Sequence, residues 1–76
     1  KNLYGGYYIM FNREFHILSN KAFFINNDLK RLDDHGDHFT EAGLDMELDA
    51  VQAQLESLLS GITELRYQLK EVNING

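Results

Sequence analysis

From Leu44 to Val72 an aliphatic side chain returns after four residues, then three, without a miss: Leu44, Leu48, Val51, Leu55, Leu58, Ile62, Leu65, Leu69 and Val72. A 3.5-residue repeat is the period of helices that wind around one another. In heptad terms Leu48, Leu55, Ile62 and Leu69 take the a positions and the other five take d. The Gln, Glu, Leu, Ala and Arg residues between them favour helix. Ser60–Gly61 is the weak point, but the ladder keeps its phase there, whereas a hairpin turn would reset it. The spacing predicts one amphipathic, coiled-coil helix over about 41–72, capped by Asp37 or Thr40, with a short tail at 73–76. Glu41 and Asp45 suit the positive helix start.

Length then decides how such a seam is covered. Residues 44–72 span roughly 42 Å at the helical rise. A compact chain of 76 residues is about half to two-thirds that wide. The remaining residues must lie along the whole ladder or leave part of it bare, and bare leucine seams do not persist in water. The nine ladder residues therefore read as a homodimer interface, or one in a higher oligomer. The flanks, Glu47, Gln54, Gly61 and Gln68 at g with Asp45, Gln52, Leu59, Arg66 and Asn73 at e, are mostly neutral, so few charge pairs fix the partner. Leu59 widens the seam on one side.

Residues 1–32 admit two readings. Apolar clusters (YYIMF, FHIL, AFFI) alternate with polar triplets (NRE, SNK, NND). Short aromatic and β-branched runs between turn formers predict a small antiparallel β-meander over about 7–25. Its strands would be Tyr7–Phe11, Phe15–Leu18 and Ala22–Ile25, giving an α+β chain. The alternative is all-α. Tyr4, Tyr8, Phe11, Phe15, Leu18, Ala22, Ile25, Leu29 and Leu32 also keep a four-three ladder, which would make a helical hairpin that dimerises into a four-helix bundle. Ile9, Met10, Ile17, Phe23 and Phe24 fall off that ladder. Asn12, Ser19, Asn20, Asn26 and Asn27 would sit inside the helix, where their side chains compete for the backbone. On those grounds the meander is preferred.

The chain reads as a single small domain: an aromatic, basic module at 1–32, an acidic loop at 33–40 and the heptad helix. The net charge of −5 divides unevenly. Residues 1–32 carry five cations against two acids, and residues 33–76 carry two cations against ten acids. Seven of nine aromatics lie in the basic part. Internal attraction between the two parts accounts for this without an external partner. No cysteine is present, so disulfides and thiolate metal sites are excluded. No run is long enough for a membrane span, and no signal peptide is visible, which reads as a cytoplasmic chain.

The stretch DDHGDH places His35, Asp37 and His38 together as metal-ligand candidates. The spacing fits no EF-hand, since glycine falls fourth from Asp33 rather than sixth; a solvated loop before a helix is the plainer reading. His16, in an apolar run, reads as a half-buried strand residue. No nucleophile triad and no phosphate loop can be read, so the chain is expected not to be an enzyme and to need no cofactor. Aromatic strands with five cations could stack single-stranded bases. Cations so dispersed, beside an acidic half, argue against nucleic acid. The expected function is a non-catalytic homodimeric protein–protein interaction module, an adaptor, inhibitor or small regulator. It would act through its acidic helix or its aromatic module.

Overall fold

This computed structural model describes residues 10–75, with side chains through Val72; two antiparallel helices and the tight link between them make up residues 12–75. Helix α1 spans Asn12–His35 and helix α2 spans Glu41–Asn75. A single 3-10 turn, Gly36–His38, joins them. Phe39 is extended after the turn, its N–H donating to the Gly36 carbonyl at 3.1 Å. Thr40 then caps α2: its Oγ1 accepts from the Gly43 N–H at 3.0 Å, and its carbonyl accepts from Leu44 N–H at 2.9 Å. That satisfies one of the donors a helix start leaves open. Helix α2 continues through Ser60–Gly61 without a break.

The β-meander is overturned: the described residues contain no strand, and the all-α hairpin fits. Phe15–Leu18 and Ala22–Ile25 are helical; the first of the expected strands, Tyr7–Phe11, begins outside the described residues. The seven-residue rhythm of apolar clusters is two helical turns, not a strand and a turn. The off-ladder Ile17, Phe23 and Phe24 are exposed, so they form no second buried face. Asn12, Ser19, Asn20, Asn26 and Asn27 are exposed too. At such positions these residues cost a few tenths of a kcal/mol each in propensity, which a packed inner stripe outweighs. His16 likewise sits exposed on a helix, not half-buried on a strand.

Phe11, Leu18, Ile25 and Leu32 recur every seven residues and point α1 at its neighbour. In α2 the d residues Leu44, Val51, Leu58, Leu65 and Val72 answer them. Phe11, Ile25, Val51 and Leu65 are buried, and Leu18, Leu32, Leu44, Leu58 and Val72 are half-buried. Cross-links fix the register: Lys21 Nζ donates to Ser57 Oγ at 3.1 Å, Gln54 Nε2 to Asp28 Oδ2 at 3.0 Å, and Arg31 to Glu47 Oε1 at 2.7 Å. At Gly61 a Cβ would stand 2.9 Å from Leu18 Cδ2, so the missing side chain lets α1 come close.

The result is a slab of 55 × 18 × 13 Å, one helix thick. Its radius of gyration is 17.2 Å, against about 11 Å for a compact chain of this length. Among the described residues, a single layer of two helices has no interior beyond its one seam.

Candidate functional site: an exposed apolar face

The nine ladder residues of α2 divide between two directions. The five d residues line the seam with α1. The a residues do not: Leu48, Leu55 and Ile62 are 52%, 46% and 39% exposed, and Leu69 is half-buried. Helix α1 divides in the same way. Phe15, Ala22 and Leu29 each lie four residues beyond an inward residue and are exposed.

Both outlying rows fall on the same side of the slab. A four-residue step turns a side chain about 40° ahead of its starting direction, and a three-residue step leaves it about 60° behind. In antiparallel helices facing each other, the forward turns converge on one side and the backward turns on the other. One side of the slab therefore carries Phe15, Ala22 and Leu29 beside Leu48, Leu55, Ile62 and Leu69, with Leu59 at its edge. No charged residue interrupts either row.

The opposite side holds the three-residue steps: Glu14, Lys21 and Asp28 on α1, Glu47, Gln54, Gly61 and Gln68 on α2. Here lie all three interhelical polar contacts. Arg31 also stands 3.7 Å from Asp28 and 5.8 Å from the Phe39 ring. Its guanidinium is held above its ordinary value first by the hydrogen bond to Glu47, then by the charges of Glu47 and Asp28. It thus stays charged at any ordinary pH. The groups are solvated, so the pairs set register more than they add stability. Two shallow clefts open on this side, of about 450 Å³ beside Phe24 and Gln54 and about 170 Å³ beside Ile17 and Gly61.

On the outward side of α1, Phe23 and Phe24 are 59% and 61% exposed, their rings edge to face at 5.8 Å. From Phe15 to Asn27 this helix has no acid.

His35 ends α1 and His38 closes the turn, their rings stacked at 5.6 Å; His38 Nε2 is 3.9 Å from Asp37 Oδ1. The structure brings these three metal candidates together at an exposed corner. Among the described residues no three histidine or acidic side chains are grouped so as to hold a metal ion.

Sequence reasoning missed the division of the ladder. Its signal was available in Phe11, Leu18, Ile25 and Leu32, whose spacing matches the d residues of α2 heptad for heptad. None of the described helices is long and apolar enough to cross a membrane. No family model, no curated protein and no solved structure matches this chain.

Proposed function

We propose that the chain is a non-catalytic homodimeric interaction module, two hairpins joined apolar face to apolar face as a four-helix bundle. The double row of exposed apolar residues, Ala22 and Leu29 on α1 beside Leu48, Leu55 and Ile62 on α2, carries this reading. Over the length of α1, about 36 Å by the helical rise, and the 18 Å width of the slab, the face measures roughly 650 Å². A standard stable interface takes about 800 Å² from each partner. A second copy supplies a face of the same size, with the same uncharged rows, and turns one layer into two around a shared core.

Sedimentation equilibrium tests it. A mass twice the 8.8 kDa of the chain at micromolar concentration is expected, with helicity that falls on dilution. A fully helical single chain there overturns the reading.

The dimer's outward surfaces then serve as the binding platform of an adaptor, inhibitor or small regulator. Phe23 and Phe24 are the best-placed anchors, since exposed aromatics dominate binding energy where they meet a partner. A second reading, single-stranded nucleic acid on the same outward face, draws on the acid-free stretch around those two rings. A salt-dependent mobility shift with a single-stranded oligonucleotide supports it; none at low salt eliminates it.

A further inference from the structure

If two copies meet face to face, two closed arrangements are open to them, and the residues favour one. We infer that the two-fold axis runs parallel to the helices, so that α1 lies against the partner's α2 and the partner's Leu59 seats over Ser19 and Ala22. This rests on the homodimer reading and goes beyond it.

Rotation about an axis parallel to the helices leaves every residue at its own height. Each α1 residue then faces the residue of the partner's α2 with which it is level in its own hairpin. Those levels are known. Leu18 stands opposite Gly61, and Lys21 opposite Ser57. Leu59 falls between Gly61 and Ser57, level with Ser19 and Asn20. It is 64% exposed, the one large apolar residue on the outer edge of α2's row. The edge of α1 at that height is Ser19, beside Ala22, the only small residues in their rows. Protrusion and gap coincide. At the turn end, Asp28 stands opposite Gln54 and Arg31 opposite Glu47. Asp49 is therefore level with Lys30. The rotation sets Lys30 beside the partner's Asp49, a complementary pair.

A perpendicular axis instead packs α1 on the partner's α1 and α2 on the partner's α2. Centred on the rows, it opposes Ala22 to the partner's Ala22, leaving a thin core there, and Glu56 to the partner's Glu56. It also lays a helix with seven acids and two cations along its own copy, whereas α1, with four of each, is neutral. Working against the parallel axis, both acidic turns gather at one end and Asp33 comes level with the partner's Asp45. These charges are exposed, where salt screens them.

The two arrangements give opposite results with engineered thiols, which are clean probes because the chain has no cysteine. In a Ser19→Cys/Leu59→Cys double variant the two sites project from opposite edges of one slab, too far apart to bridge within a chain. Oxidation is expected to yield a covalent dimer on a non-reducing gel, while Ala22→Cys alone does not cross-link. A dimeric wild type whose Ala22→Cys variant cross-links at least as well as the pair overturns the arrangement and leaves the dimer standing. A wild type that sediments as one chain overturns the dimer itself. Asp45→Asn gives an independent sign. With the parallel axis it removes repulsion from the partner's Asp33 and tightens the dimer about two- to fivefold. With the perpendicular axis it removes attraction to the partner's Arg66 and loosens it.

Discussion

Leu55→Glu separates a face that meets another copy from one that meets water. Leu55 sits mid-row and is 46% exposed in the single hairpin. Fully burying a leucine is worth about 1.5–3 kcal/mol, so roughly half of that, ~0.7–1.5 kcal/mol, becomes available only on pairing. Two copies double it, to ~1.5–3 kcal/mol per dimer. Truncation to alanine alone should therefore raise the dissociation constant about ten- to a hundredfold. Glutamate goes further, because two carboxylates would enter a dry centre at several kcal/mol each. In a solitary hairpin the same change is nearly silent: leucine and glutamate have similar helix propensity, and exposed substitutions usually stay within about 0.5 kcal/mol. Sedimentation velocity over a concentration series, with circular dichroism on the same samples, reads the difference. The expected outcome is loss of the dimer, with loss of helix content, since four buried side chains are a thin support for a lone hairpin. Mass and helicity unchanged from wild type would refute the reasoning.

Three further substitutions probe the hairpin itself. Val51→Ala removes methyl groups from a fully packed seam position and is expected to cost about 1–3 kcal/mol in urea unfolding. Thr40→Ala deletes the cap on α2 and should cost about 1 kcal/mol, with Thr40→Ser restoring most of it. Gly61→Leu forces a side chain where even a Cβ meets Leu18 at 2.9 Å, at a cost of about 1–3 kcal/mol by thermal melt. Gly61→Ala should be near neutral, the gain in helix propensity offsetting a small shift of the Leu18 tip.

The heptad helix was legible because its signal is redundant: nine aliphatic side chains in phase outvote one serine–glycine pair. The cap at Thr40 could be read from its place just before an acidic first turn. Helix α1 was harder. Phe23 and Phe24 are exposed, yet in sequence they look like core, and that made the apolar residues run all round the helical wheel. The asparagines completed the illusion by bracketing each apolar cluster with apparent turns. What resolves the ambiguity is a tertiary fact, the ladder of α2 offering a seam of the same period, and no local propensity encodes it. The division of the nine ladder residues was hidden for a similar reason: a four-three repeat states that two directions are apolar, not which neighbour fills each.

That division explains why both helices carry polar residues on one edge of their seam and apolar ones on the other. Lys21, Asp28 and Arg31 face the edge where Ser57, Gln54 and Glu47 meet them in hydrogen bonds. An edge made of such groups is content with water. The other edge, Phe15, Ala22 and Leu29 beside Leu48, Leu55 and Ile62, can neither be solvated without cost nor be covered by the described parts of the same chain, whose α1 is already spent on the d residues. Turning α2 so that its a residues faced inward would set a polar row of one helix beside an apolar row of the other on each edge, and the slab would lose its sidedness. The two helices are in phase, so the hairpin has one wet side and one side that needs another layer.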